Sequence, residues 1–260
     1  MRSASITFAV LVVAITAAFS IEDREPNGGM DGATDIASPD TVVEASSRET
    51  RSDDLWQRPD GPLRVALQAG HWRSAEAPDE QSGLRGNGTR GGGKQEWEVN
   101  LEIANQAARM LEEAGYVVEV LPTTIPPGYW ADVFVSIHAD GNPNSNVSGF
   151  RAAAPRRDAT GFAQEFADLL EQTYGDATGL RHYPTVIRRM RGYYAFNSRR
   201  YQHALHPMTV GVILETGFLT SPSDRRVIVD DPARAARGIA DAVTLYLESN
   251  RPQPRIAGVR

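Results

Sequence analysis

The chain has 260 residues, with 27 Lys or Arg against 33 Asp or Glu, so its formal net charge at pH 7 is −6. This length accommodates one large domain or two small ones, and a hydrophobic fraction of 41% is typical of a soluble globular protein. The acidic balance argues against a nucleic-acid partner, which would require a basic surface. Cysteine is absent, which excludes disulfides, iron–sulfur sites, thiol nucleophiles and cysteine-ligated structural zinc.

The N-terminus has the pattern of a signal peptide over residues 1–20. Arg2 precedes an apolar run at 6–19, and the small residues Ala18 and Ser20 form a cleavage-site pattern. An uncleaved anchor is the alternative, but this run would span only about 21 Å as a helix, against a hydrocarbon core of roughly 30 Å. In both cases the rest of the chain is expected to be exported, to the periplasm, the cell envelope or the extracellular space. Any membrane contact through this segment would be transient.

Two polar segments flank the part of the chain that is expected to fold. Residues 21–60 are rich in Glu, Asp, Ser, Thr, Pro and Gly and would bury too little apolar surface to offset the entropy of ordering, so they are predicted to form a disordered linker. Residues 251–260 are predicted to be a short disordered tail. The intervening residues 61–250 are enough for a single domain with a substantial core, which is expected to be monomeric.

Strands and helices are predicted to alternate through this domain, because compact apolar runs alternate with apolar residues at helical spacing. Strands are expected at 63–69, 116–121, 133–138, 149–154 (at a sheet edge) and 210–214. Helices are expected at 97–114, around Phe162, Phe166 and Leu169 up to Gly175, and from Asp231-Pro232 onward. The pattern predicts an α/β fold with a mostly parallel twisted sheet and helices on both faces.

Polar residues follow three of the predicted strands at their carboxyl ends. His71 follows the first strand by one glycine, His138 ends the strand at 133–138, and Glu215 directly follows the strand at 210–214. Because the carboxyl ends of parallel strands meet at one edge, these side chains are expected to lie close together, where α/β sheets bind ligands. A salt bridge is the alternative role for Glu215.

Two histidines and one glutamate are typical ligands of a catalytic zinc site that keeps a fourth position for water. Glu96 lies at the start of the predicted helix and is a candidate for the third ligand, with Glu98 as its competitor. Taken singly, a histidine at a strand end is more often a hydrogen-bonded structural residue than a metal ligand. The residues alone therefore do not decide whether the histidines bind a metal, or whether Glu96 or Glu98 is the third ligand.

Four sequence blocks resemble the signatures of the zinc-dependent N-acetylmuramoyl-L-alanine amidases of the amidase 3 type. They are QAGHW (68–72), QEWEVNLEIA (95–104), VFVSIHAD (133–140) and VILETGFLTSPSD (212–224). The resemblance extends from about residue 63 to residue 247. It implies a peptidoglycan hydrolase that cuts the amide between the lactyl group of N-acetylmuramic acid and L-alanine of the stem peptide.

The same resemblance implies one zinc ion per chain and the roles of several residues. His71, Glu96 and His138 correspond to the metal ligands, since the family glutamate lies five residues before the leucine that stands at 101 in this chain. Glu215 corresponds to the catalytic carboxylate, and Asp140 to a residue that orients the metal water or a ligand. The sequence departs from the family at Gln68, where aspartate is usual.

A basic stretch with aromatic residues occupies positions 181–200. Arg188, Arg191 and Tyr193 are candidates for binding stem-peptide carboxylates, since the guanidinium fork matches a carboxylate; a solvated loop is the alternative. Two other functions are compatible with the pattern: a non-catalytic wall-binding or activator module on the same fold, and a zinc carboxypeptidase or amidohydrolase acting on small peptides. The complete ligand set argues against the first.

Overall fold

The computed structural model describes residues 56–250. The predicted signal peptide at 1–20, most of the predicted linker and the predicted tail at 251–260 lie outside the described residues. Among the residues that are described, no helix combines the length and the apolar character needed to cross a membrane.

The last residues of the predicted linker pack against the domain. The guanidinium of Arg58 forms an ion pair with Asp132, with 2.5 Å between Nε and Oδ1, and the ring of Trp56 lies 5.8 Å from that of Trp130. The last residues of the segment predicted as a linker thus contact the folded domain through Trp56 and Arg58. Composition did not indicate this, because a single aromatic and a single arginine make the contact within a polar stretch.

Within residues 56–250 the chain forms seven strands and five α-helices. In chain order these are β1 (Arg64–Ala69), β2 (Arg90–Gly91), β3 (Lys94–Gln95), α1 (Glu96–Glu113), β4 (Val117–Leu121), β5 (Val133–Asp140), β6 (Arg151–Ala153), α2 (Ala163–Thr178), α3 (Arg188–Arg191), β7 (Val210–Phe218), α4 (Pro222–Ile228) and α5 (Pro232–Ser249). The predicted α/β alternation is confirmed. The short elements β2, β3, α3 and α4 were not predicted, because they carry too few residues to show a period.

The main sheet has the strand order β4-β1-β5-β7-β6. Neighbouring strands pair in parallel from β4 to β7, and only β6 pairs antiparallel, at the edge beyond β7. The mostly parallel sheet is therefore confirmed, and the expected edge strand at 149–154 is β6. Since β1, β5 and β7 are adjacent and parallel, the three predicted polar strand ends meet at the same edge.

The three long helices all pack against one face of the sheet. There, side chains such as Leu67, Val135 and Leu214 join the helical residues in one core, to which Ile103, Phe166 and Val243 contribute from α1, α2 and α5. The other face is covered by the short helix α3 and by loops, which place Met190 and Tyr194 over the strands. Helices were predicted on both faces; within residues 56–250 the second face carries only the short helix α3, because the rest of the segment before β7 lacks a helical repeat and forms loops.

Helix α2 extends further than its sequence predicts. Gly175, where the helix was expected to stop, lies inside it; a Cβ there would be 3.2 Å from the ring of Phe150, so this glycine permits close packing. The helix ends instead at Gly179, whose φ of 68° provides the left-handed cap. Phe162, which was grouped with Phe166 and Leu169 in the predicted helix, is 48% exposed, because the helix and its buried stripe begin one residue later at Ala163.

Candidate metal centre

The strand register places four residues in one row at the carboxyl edge of the sheet. His138 on β5 pairs with Glu215 on β7, which pairs in turn with Arg151 on β6. Gly70 continues β1 by donating its N–H to the carbonyl of Ile137 at 2.9 Å. A Cβ at Gly70 would lie 2.5 Å from Nε2 of His138, so the glycine leaves the space that the imidazole occupies.

His71 reaches the same edge through a left-handed turn. Its φ of 63° is unusual for a residue other than glycine, and the turn is closed by the N–H of Trp72, which donates to the carbonyl of Ala69 at 3.2 Å. The ring consequently faces His138, with 5.0 Å between the ring centroids and an interplanar angle of 86°. Such backbone conformations are common at functional sites, where the surrounding structure holds them.

Glu96 and Glu98 have different surroundings at the start of α1. The Glu98 carboxylate accepts a hydrogen bond of 2.8 Å from the N–H of Gln95 and thereby completes a capping box. Glu96 is only 5% exposed and its carboxylate faces the two histidines. The structure thus places Glu96, and not Glu98, in the cluster.

The distances within the cluster fit a single divalent ion. Oε1 of Glu96 lies 3.1 Å from Nδ1 of His138 and 3.4 Å from Nε2 of His71, and one ligand atom from each of the three residues lies within 4.8 Å of the others. Tetrahedral zinc with bonds of about 2.0–2.1 Å separates its ligand atoms by about 3.3 Å. Two imidazoles and a carboxylate are also the donor set of known catalytic zinc sites.

Hydrogen bonds hold the Glu96 carboxylate from both sides. The N–H of Thr89 donates to Oε2 at 2.8 Å, and the N–H of Ala139 donates to Oε1 at 3.1 Å. The side-chain amide of Asn100, one helical turn along α1, donates to Oε1 at 3.3 Å and to the carbonyl of Gly70 at 3.0 Å. Sequence reasoning missed these hydrogen-bond partners. The only usable signal was Asn100, a polar residue among the buried residues of α1.

The three residues of the cluster perturb one another's charge states. Burial by itself lowers the pKa of His138, but the hydrogen bond and charge of Glu96, together with the charges of Glu215 and Asp140, more than compensate, so this pKa is raised. For Glu96, burial raises the pKa, yet the hydrogen bond and charge of His138 together with the charge of His71 hold it below its usual range. The pKa of His71 is lowered, chiefly by burial.

Two further carboxylates lie beside the cluster. Asp140 forms an ion pair with the buried Arg151, although burial still raises the pKa of Asp140. Glu215 is partly buried; burial, followed by repulsion from Asp140, raises its pKa to about 8. Arg151 was not predicted, although a single charged residue at the head of an alanine-rich edge strand was a usable signal.

Of the three residues predicted to bind substrate, the structure brings only Tyr193 to the cluster. Its hydroxyl lies 3.3 Å from Nε2 of His138, and the two rings are 5.4 Å apart. Arg188 and Arg191 are exposed on α3, and neither forms a side-chain hydrogen bond within the described part of the chain. Their predicted contact with substrate is therefore untested.

A cavity of about 640 Å³ lies elsewhere, near the start of β7. Arg156, Arg157, Arg199 and His206 contribute to its lining. From Val210, the first residue of β7, the strand runs about 17 Å to Glu215 at roughly 3.3 Å per residue. The candidate centre is thus separate from this cavity and lies at the sheet edge itself.

Comparison with known proteins agrees with this architecture. Residues 65–245 match the Amidase_3 family model, described as N-acetylmuramoyl-L-alanine amidase. No curated protein matches the chain. Among solved structures, the amidase from Clostridium difficile 630 has a TM-score of 0.54 at 22% identity, covering 74% of this chain and 100% of that one. AmiC2 of Nostoc punctiforme has a TM-score of 0.52 at 21% identity, covering 73% and 99%.

At such identities the structural matches establish the shared fold, and the family model carries the assignment. The matched segment includes all three residues of the cluster as well as Glu215. As the sequence blocks predicted, the chain belongs to the N-acetylmuramoyl-L-alanine amidase family of peptidoglycan hydrolases.

Proposed function

We propose that this amidase is zinc-dependent and hydrolyses the amide between the lactyl group of N-acetylmuramic acid and L-alanine of the stem peptide. The observation that carries the proposal is the convergence of His71, Glu96 and His138, whose facing ligand atoms lie 3.1 and 3.4 Å apart at the carboxyl edge of the sheet. Since family members act on the cell wall, we place the protein in the cell envelope or outside the cell.

The three residues would hold zinc through two imidazole nitrogens and one carboxylate oxygen. When bound, zinc supplies a Lewis acid and lowers the pKa of a coordinated water toward about 7. Glu96 is suited to ligation because three N–H donors fix its orientation, and because its lowered pKa keeps it ionised at neutral pH.

Glu215 is the residue we assign to proton transfer. Its pairing with His138 in the row at the sheet edge supports this role, because His138 is one of the proposed ligands. A carboxylate there would take a proton from the attacking water and deliver it to the departing nitrogen of L-alanine, a role for which a pKa near the working pH is best suited. With a pKa of about 8 in the metal-free protein, Glu215 meets this condition better than an exposed glutamate would.

Asp140 and the loop over the sheet complete the proposed site. The Arg151 ion pair holds Asp140 at the end of β5, two residues beyond His138, from where it would orient water or a ligand. Tyr193, Arg188 and Arg191 are proposed to contact the stem peptide, whose carboxylates match the guanidinium forks of the two arginines.

Mass spectrometry of a muropeptide digest tests the reaction. Zinc-loaded protein is expected to release intact stem peptides with a free L-alanine amino group from purified peptidoglycan. Shortened stems that are still attached to the sugar would instead indicate a carboxypeptidase, and binding to the wall without any product would indicate a non-catalytic module. Glu215→Gln serves as the control, since it should bind zinc and release no stems.

A further inference from the structure

We infer that Gln68 and Tyr193 position His138 by fixing which of its ring nitrogens carries the proton. The inference rests on the proposed metal centre and adds two positioning residues to it. In the structure the Tyr193 hydroxyl lies between the two partners, 3.3 Å from Nε2 of His138 and 2.9 Å from Oε1 of Gln68. The opposite ring nitrogen, Nδ1, faces Glu96.

The orientation of the Gln68 amide is determined by its neighbours. Its Nε2 donates to the carbonyl of Thr123 at 2.7 Å and to the hydroxyl of Tyr194 at 2.6 Å. A reversed amide would direct Oε1 at the Thr123 carbonyl, which can only accept, so the reversed orientation is disfavoured. Oε1 therefore points the other way, where it accepts from the hydroxyl of Ser136 at 2.7 Å and from Tyr193.

This orientation determines the direction of each remaining hydrogen bond. A tyrosine hydroxyl has one proton, and Tyr193 gives it to Oε1 of Gln68, which is an acceptor only and, at 2.9 Å, is nearer than Nε2 of His138 at 3.3 Å. The Tyr193 oxygen is then left to accept, so Nε2 of His138 must be the donor. A neutral imidazole that is protonated at Nε2 has its lone pair on Nδ1, which is the atom 3.1 Å from the Glu96 carboxylate. The network thus presents Nδ1 to the metal.

Burial protects the hydrogen bonds of this network from exchange with water. Gln68 and Ser136 are both fully buried, so within this part of the structure water does not replace a lost partner. Ligand histidines commonly donate their second N–H to a carboxylate, a backbone carbonyl or water; here a tyrosine hydroxyl takes that place. The network also explains why position 68 is a glutamine here. An ionised carboxylate at this position would face the Thr123 carbonyl and would have no proton to donate to it.

Imidazole NMR of the zinc-loaded protein, with ¹⁵N-labelled histidine, tests the inference without any substitution. We expect His138 to bind zinc through Nδ1 and to show a hydrogen-bonded, slowly exchanging proton on Nε2. Ligation through Nε2, or a rapidly exchanging Nε2 proton, would overturn the inference. Absence of zinc binding by the wild-type protein would instead overturn the proposed function, so the two failures can be told apart.

The Tyr193→Phe variant tests the contribution to zinc affinity. It keeps the ring packing and removes only the acceptor, so we expect the zinc dissociation constant to rise by about 10–100-fold and Nε2–H exchange to accelerate. Tyr201→Phe is the matched control, because Tyr201 belongs to the same aromatic cluster and its hydroxyl makes no hydrogen bond within residues 56–250. Equal zinc affinity and exchange in the two variants would show that Tyr193 has no positioning role.

Discussion

Nδ1 of His138 lies 3.1 Å from Oε1 of Glu96, although the two residues are 42 positions apart in the chain. In the metal-free protein the Glu96 carboxylate favours the protonated imidazole, so this contact raises the pKa of His138 and contributes to lowering that of Glu96. In the zinc-loaded protein the same nitrogen must be free of its proton, because metals bind the neutral imidazole. Protonation and zinc binding therefore compete for one atom.

This competition predicts opposite pH dependences for the two forms. The raised pKa of His138 stabilises the metal-free fold below the ordinary histidine value of about 6.5, and this stabilisation is lost as the pH rises through the folded-state value. Zinc stabilises more as the ligands lose protons. We expect the increase in Tm on adding zinc to be larger at pH 8 than at pH 6, measured by thermal unfolding with zinc or with a chelator. An increment independent of pH would contradict this view.

The paired variants Glu96→Gln and Glu98→Gln separate ligation from helix capping. Glu96→Gln removes an anionic ligand, and we expect zinc affinity to fall by more than the roughly 10–100-fold typical of losing a ligand's hydrogen-bond partner. Glu98→Gln weakens only the capping box, so zinc affinity should be unchanged and the free energy of unfolding should fall by at most about 1 kcal/mol. Isothermal titration and chemical denaturation measure the two effects. The reverse pattern would assign the ligand role to Glu98.

These two glutamates also show what a sequence can predict. The strands that end at His138 and Glu215 were predicted because buried parallel strands are continuous apolar runs, and parallel strand ends meet at one edge. The choice between Glu96 and Glu98 came from the family resemblance, since two residues at the very start of a helix are too few for periodicity to decide between them. The structural reason for the difference is that the N–H of Gln95 donates a hydrogen bond to Glu98, which occupies Glu98 in helix capping. The sequence did not reveal this, because a capping box with Gln in place of Ser or Thr is a weak signal.

The contacts around the ligands were beyond sequence reasoning. The network at Gln68 depends on Thr123 and Tyr193, which lie 55 and 125 positions away. No local period links residues at such distances, and a loop without helical or strand periodicity carries Tyr193. Thr89 contributes through its backbone N–H, which every residue except proline has, so its residue type gives no indication.

For catalysis, we predict that Glu215→Gln retains zinc and loses activity. The amide has nearly the same shape as the carboxylate but cannot accept the proton of the attacking water, so turnover should fall by about 10²–10⁴-fold. Zinc content by elemental analysis and release of stem peptides from peptidoglycan give the two readouts. A variant with near-normal turnover would remove Glu215 from the reaction.

The protonation of Glu215 can be measured directly. In the metal-free protein its pKa is about 8, owing first to burial and then to repulsion from Asp140. Asp140→Asn removes that negative charge and frees Arg151 from its ion pair; since both changes favour the ionised carboxylate, we expect the pKa of Glu215 to fall. Titration of ¹³C-labelled glutamate side chains by NMR, with Glu215→Gln to assign the signal, reports the shift. A higher value in the Asp140→Asn protein would contradict the proposed coupling.

Gly70 tests whether the shape of the sheet edge holds the centre together. A methyl group added there would lie 2.5 Å from Nε2 and 2.6 Å from Nδ1 of His138, well inside van der Waals contact. Gly70→Ala should therefore displace the imidazole, weaken zinc binding and lower the free energy of unfolding by about 1–3 kcal/mol, the usual cost of overpacking. Gly83→Ala is the control, since a Cβ at Gly83 meets no atom within 4 Å, and it should leave both properties nearly unchanged. Normal zinc affinity in Gly70→Ala would mean that the ring moves without loss, and that the position of His138 does not depend on this glycine.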